Sequence, residues 1–100
     1  MFASVLVVDL HLPLTDSLKA KRAVITPILE GARRRHRVAV SEVAHQDVWR
    51  RSELAFATVA SSETQAREVL DAVERFVWSF PEADVVAAWR RWVDDEEDGT

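Results

Sequence analysis

The chain has 100 residues, of which 48% are hydrophobic and 30% charged, a balance typical of one compact globular domain. It contains no cysteine, which excludes disulfide scaffolds, cysteine nucleophiles and thiolate metal sites. No apolar run approaches the roughly 18 residues of a membrane span, and the first residues lack the basic segment of a signal peptide. We therefore expect a cytoplasmic protein with no membrane partner.

Charge is distributed unevenly along the chain, whose net charge is −4. Residues 1–51 hold nine of the 13 Lys and Arg residues and five of the 17 Asp and Glu residues, whereas residues 52–100 hold four and twelve. Five of those acids fall in residues 94–98. We expect one domain over residues 1–93 and a disordered acidic tail over residues 94–100, with an acidic clamp over a basic surface as the alternative.

Hydrophobic periodicity predicts six elements. Alternating apolar positions predict strands at Phe2–Leu12, Arg37–Ala44, Ser52–Ala60 and Asp84–Val93. A 3.6-residue apolar repeat predicts one helix from Leu18 to Arg35, which Pro27 bends without breaking, and another from the capping box at Ser62 to Pro81. The order βαββαβ predicts an α+β, ferredoxin-like domain, in which two helices cover one face of a four-stranded antiparallel sheet in the order 4-1-3-2.

The two central strands carry apolar residues on both faces, among them Val5, Val7, Ala55, Ala57 and Val59. Whichever set faces the helices, the other set leaves an uncovered apolar surface. We therefore expect self-association into a homo-oligomer through the sheet, and the alternative is a tolerated patch of small surface residues.

The first predicted helix carries a basic stripe that consists of Lys19, Arg22 and Arg33 and is extended by Arg37 if the helix continues that far. The first three side chains fall within about 60° of one another on a helical projection. Fixed positive charge along one helix edge suits the phosphates of a nucleic acid. The alternative is a solvated face in which Glu30 pairs with Arg34.

Lys21 lies within the apolar stripe of the same helix. Its ammonium either reaches water past the sheet edge or meets a carboxylate, and the topology offers three, which belong to Asp9, Glu42 and Asp47.

The connection between the second and third strands concentrates functional groups in the sequence HQDVWRR, residues 45–51. Trp49, Arg50 and Arg51 suit stacking on a base and contacts with phosphates, whereas the alternative has Trp49 filling the sheet edge and Asp47 capping the turn. The histidines lack metal-ligand spacing and no glycine-rich phosphate loop occurs, so we expect no metal, no cofactor and no catalysis. The third strand lacks the aromatic pattern of RNA-recognition motifs, which disfavours base stacking on the sheet.

Two segments resemble the YlxP family of small bacterial proteins. Ser17-Leu18-Lys19-Ala20-Lys21-Arg22 resembles its SLKxKR signature, and residues 40–51 resemble its VSE…QDxWQR segment. The matching motif positions are Ser17, Leu18, Lys19, Lys21, Arg22, Gln46, Asp47, Trp49 and Arg51, and Arg50 stands where the family often has Gln. The resemblance implies a ferredoxin-like fold and no known activity. Members are often encoded among translation genes, beside those for an initiation factor and a ribosome-binding factor, which suggests a role in ribosome biogenesis or translation.

We therefore expect a non-catalytic accessory protein that binds structured ribosomal RNA or the small ribosomal subunit, and not DNA. The residues expected to contact phosphates are Lys19, Arg22, Arg33, Arg37, Arg50 and Arg51, with Trp49 anchoring the loop. The alternative is a homo-oligomeric protein-interaction module without nucleic-acid binding. A third hypothesis, a small enzyme or anion-binding regulator, requires Lys21, His45 and Asp47 to converge in a pocket.

Overall fold

A computed structural model describes residues 1–93 of the chain, and the predicted acidic tail lies outside them. The elements are β1 (Phe2–His11), α1 (Leu18–His36), β2 (Ala39–Ala44), β3 (Arg51–Ala60), α2 (Glu63–Trp78) and β4 (Asp84–Trp92). The strands form one antiparallel sheet in the order β2-β3-β1-β4, which confirms the predicted fold class and strand order. No helix in this part of the chain is long and apolar enough to cross a membrane.

The core lies between the two helices and one face of the sheet. Leu6 and Val8 of β1 and Leu54 and Phe56 of β3 are fully buried there, packed with the apolar stripes of α1 and α2. Successive residues of a strand point to opposite faces, so the odd-numbered residues of β1 and β3 face away from the helices. The apolar residues at these odd-numbered positions are therefore the ones that the helices leave uncovered. Val59, which is 72% exposed, is one of them.

α1 passes through Pro27 without interruption, as the sequence predicts. Proline cannot donate a hydrogen bond to the carbonyl four residues earlier, which here belongs to Ala23. Both Ala23 and Pro27 are exposed, so water reaches that carbonyl and the helix continues.

The end of α1 differs from the prediction. The helix stops at His36, and Arg37 adopts the left-handed conformation, with φ of 55°, while its N–H donates to the carbonyl of Arg33 at 3.1 Å. A left-handed residue at this position ends the helix and redirects the chain, here into β2 at Ala39. The prediction that Arg37 begins the second strand is therefore wrong, and the condition under which Arg37 would extend the basic stripe, that the helix continues through it, is not met.

Gly31 occupies the point where α1 meets the Phe76 ring of α2. A Cβ added at Gly31 would overlap the tip of that ring. The ring is itself held in place, because it forms edge-on contacts with His36 and Phe80 and lies under the Arg35 guanidinium at 5.1 Å. Close packing between the helices therefore explains a glycine inside a helix, where it costs about 1 kcal/mol relative to alanine.

Gly31→Ala is expected to lower the free energy of unfolding by about 1 kcal/mol, because overpacking of about 1–3 kcal/mol exceeds the gain in helix propensity. In a Phe76→Leu background the ring is gone, and the same substitution should stabilise the protein. Urea unfolding of the four proteins measures both effects. Equal stabilisation by Gly31→Ala in the two backgrounds would show that the ring does not require the glycine.

Candidate nucleic-acid interface

Lys21 is the most buried charged residue of the site, with 1% of its surface exposed on the inner side of α1. Its Nζ lies 2.7 Å from Oε2 of Glu42 on β2, and it donates to the carbonyl oxygens of His45 at 2.5 Å and Val48 at 2.8 Å. A lysine ammonium has three donors, and these acceptors, with the more distant carbonyl oxygen of Gln46 at 3.4 Å, are sufficient to occupy all of them. Of the two outcomes expected for Lys21, contact with a carboxylate is confirmed and exposure past the sheet edge is wrong.

Glu42 extends this contact to the centre of the sheet. Its Oε2 also accepts a hydrogen bond of 2.6 Å from Oγ of Ser52, a buried residue of β3. The Glu42 side chain is only 17% exposed, so removal of its partner would leave a poorly hydrated charge. The three side chains thus join α1, β2 and β3 into one unit.

The connection between β1 and α1 holds the other side of residues 45–51. Oγ1 of Thr15 lies 2.5 Å from the carbonyl oxygen of Trp49. The Arg50 Nε–H donates to the carbonyl of Thr15 at 3.2 Å, and the Leu12 N–H donates to the carbonyl of Arg50 at 2.9 Å. Residues 45–51 are therefore fixed from two sides, by Lys21 and by the segment that precedes α1.

We use the name loop–helix platform for residues 45–50 together with residues 18–24, the first two turns of α1. Ser17 caps that helix, because its Oγ accepts the N–H of Ala20 at 3.0 Å. Trp49 on the platform is 52% exposed, so it does not fill the sheet edge as a core residue. Lys19 and Arg22 are exposed on the helix turns that flank Lys21, at the same end of the molecule.

The basic residues at the far end of α1 do not belong to this platform. Arg33 lies eleven residues beyond Arg22, which is about 16 Å along a helix. Its guanidinium binds the Glu30 carboxylate, with Nη2–Oε1 and Nε–Oε1 distances of 2.8 and 3.0 Å. This hydrogen bond lowers the pKa of the Glu30 carboxyl below its usual value. The ion pair that the alternative predicted between Glu30 and Arg34 is therefore wrong, because the Glu30 carboxylate binds Arg33, three positions along the helix.

Arg51 also lies apart from the platform. Neighbouring strand residues point to opposite faces, so Arg51 points to the helix-free face of the sheet. There its guanidinium lies 3.1 Å from Oδ2 of Asp9, whose side chain is 16% exposed. The platform thus includes Lys19, Arg22, Trp49 and Arg50, whereas Arg33, Arg37 and Arg51 lie outside it.

The requirements of the enzyme or anion-binding hypothesis are not met at Lys21. Its three donors are already bonded to Glu42 and two carbonyls, which leaves none for a ligand. Asp47 is exposed, and the part of the chain described by the structure holds no cluster of three or more acidic or histidine side chains suited to a metal ion.

Thr15 and Ser52 were not singled out from the sequence, although both fix the platform. A hydroxyl residue gives no periodicity signal of its own. Glu42, in contrast, alternates with the inward-facing Val38 and Val40, and that pattern is a signal for a carboxylate on the helix side of β2.

Comparison with known proteins agrees with this architecture. Residues 3–90 match the family model described as "Protein of unknown function (DUF503)". The chain is 38% identical over 76 residues, which is 76% of this chain and 83% of the relative, to "Uncharacterized protein YlxP" of Bacillus subtilis (strain 168). The solution structure of a de novo designed protein with a ferredoxin fold matches with a TM-score of 0.52 and 13% identity, over 95% of this chain and 88% of that one. The chain therefore belongs to the YlxP-like DUF503 family of proteins of unknown function.

Proposed function

We propose that this chain is a non-catalytic accessory protein that docks on structured RNA of the small ribosomal subunit through the loop–helix platform. The observation that carries the proposal is a loop that is hydrogen-bonded on two sides and leaves an indole exposed. Fixing a backbone costs about 1–2 kcal/mol per residue in conformational entropy. The buried contacts of Lys21 and Thr15 offset this cost for a loop whose Trp49 remains half exposed. A preorganised, exposed aromatic ring is suited to stacking on an unpaired RNA base.

The charges around the platform support RNA as the partner. The exposed charged side chains of the platform are Lys19, Arg22 and Arg50 against Asp47, a net charge of +2. Within residues 1–93, neither Lys19 nor Arg22 forms an ion pair, in contrast to Arg33 and Arg51. Unpaired cations displace the counterions of phosphates, which is the main source of nucleic-acid affinity.

The genomic neighbourhood of the family supports ribosomal RNA as the partner. The family's association with translation genes points to ribosomal RNA, and the phosphate-and-stacking chemistry of the platform is consistent with it. Direct base stacking on the sheet is disfavoured, because β3 lacks the aromatic pattern of RNA-recognition motifs.

Lys19→Gln/Arg22→Gln is expected to weaken binding to purified bacterial small subunits and to reduce its salt dependence. Each lost phosphate contact should lower the log–log salt slope by about one unit, so the double variant should lose about two. Filter binding across a range of KCl concentrations measures both the affinity and the slope.

The matched control for this experiment is Arg67→Gln/Arg75→Gln, which removes the same charge from α2. We expect this variant to keep the wild-type slope. An equal loss in both double variants would assign the effect to net charge and would contradict docking through the platform.

A further inference from the structure

The helix-free face of the sheet has a projection at one edge and a hollow at the other. Residues that pair across the strands form rows, and one row consists of Ser41, Ala55, Val7 and Trp89. Trp89 projects from the β4 edge and is 40% exposed. At the β2 edge, four small side chains line a hollow of about 140 Å³, namely Ala39, Ser41, Ala55 and Ala57.

We propose that this face is a homodimer interface in which the Trp89 indole of each protomer fills the hollow of its partner. A two-fold axis parallel to the strands, between β1 and β3, places the β4 edge of one protomer over the β2 edge of the other. Such a rotation keeps every row at its own height along the strands. Because Trp89 and Ser41 belong to the same row, one symmetry operation seats both indoles.

The chemistry of the face favours a second copy of this chain over RNA. Among the described strand residues that point to this face, Trp89 is the sole Phe, Tyr or Trp. The charged residues of the face include Asp9 and Glu53 at one end and Arg91, which pairs across the strands with Val5, beside Trp89; Arg51 is already bound to Asp9. The apolar centre of valines and alanines has no hydrogen-bond donor side chain for a phosphate, but it packs against an identical apolar centre.

The size of the face predicts how strong the dimer is. Four strands spaced about 4.8 Å apart and four rows over about 20 Å give on the order of 400 Å² of flat area per protomer. Because side chains make the surface uneven, the area buried by both protomers together rises to roughly 1,000 Å², which is the lower end for specific interfaces. The dimer should therefore be weak, with a dissociation constant on the order of micromolar. The helices lie on the opposite side of the sheet, so this proposal is independent of RNA binding.

Sedimentation equilibrium tests the dimer directly. We expect the wild type to pass from a monomer of 11.3 kDa to a dimer across the micromolar range. Trp89→Ala should raise the dissociation constant at least about tenfold, as expected for an aromatic residue seated in a pocket. Trp78→Ala, which removes an exposed indole from α2, should leave it unchanged. A wild type that stays monomeric, or an equal loss from Trp78→Ala, would overturn the proposal.

Cross-linking tests the direction of the two-fold axis. The chain contains no cysteine, so single-cysteine variants Ser41→Cys and Ala87→Cys react at one site each. With the axis along the strands, residue 41 lies near residue 87 of the other protomer, across facing sheets about 10 Å apart. A short bismaleimide added to the mixture should therefore join 41 to 87 in preference to 41 to 41. A predominant 41–41 product, or equal yields with Trp89→Ala, would contradict this arrangement.

Discussion

Lys21→Met is expected to lower the free energy of unfolding by about 3–5 kcal/mol, the range for breaking a buried ion pair by removing one partner. Methionine keeps most of the apolar stem and removes the ammonium. Glu42 then retains only the hydrogen bond from Ser52, and the carbonyl oxygens of His45 and Val48 lose their donor. The loss therefore comes from unpaired polar groups rather than from a cavity.

Urea unfolding measures this loss, and amide hydrogen exchange locates it. Exchange should accelerate in residues 45–51 more than in β1, because Lys21 fixes that loop. Lys19→Met, on the exposed side of the same helix, is the control and should change stability by less than about 0.5 kcal/mol. A Lys21→Met loss no greater than that of the control would mean that the ammonium does not hold the platform.

A double-mutant cycle with Glu42→Gln separates the ion pair from the carbonyl contacts. We expect a coupling energy between Lys21 and Glu42 of at least about 1 kcal/mol, because the two groups are in direct contact. Additive losses would assign the stabilisation to the carbonyl oxygens alone.

Trp49→Ala is expected to cost about 1–3 kcal/mol of the binding free energy for small subunits, at least about a fivefold loss of affinity, if the indole stacks on a base. The indole is half exposed, so the unfolding free energy should change much less than it does for Lys21→Met. Filter binding and urea unfolding of the same preparation distinguish the two effects.

Trp78→Ala is the matched control for Trp49→Ala, since Trp78 is 60% exposed on α2, outside the platform. We expect it to bind small subunits as the wild type does. If Trp49→Ala binds with wild-type affinity, the indole is not part of the interface. Equal losses of affinity in both variants would point to a nonspecific effect.

The fold could be predicted from the sequence because its periodic patterns are long and consistent. Leu6, Val8 and Leu10 alternate strictly, and the stripe that includes Leu70, Val73 and Val77 repeats at helical spacing. Six such segments in this order allow few topologies, and the strand order followed from them.

The site was less predictable because its geometry depends on contacts between distant segments. Three carboxylates were available to Lys21, and periodicity alone did not identify Glu42 as its partner. Asp9 is bound by Arg51 from the adjacent strand, a pairing that depends on the register. The left-handed conformation of Arg37 could not be predicted, because the residue at that position is not a glycine.

Sucrose-gradient sedimentation of the wild-type protein with bacterial small subunits, at low and at raised salt, tests RNA docking most directly. The proposed function predicts that the protein migrates with the subunits at low salt and leaves them as salt rises, since phosphate contacts dominate the affinity. It also predicts that Lys19→Gln/Arg22→Gln stays at the top of the gradient at salt concentrations where the wild type still migrates. Wild-type protein that remains at the top under both conditions would contradict docking on the small subunit.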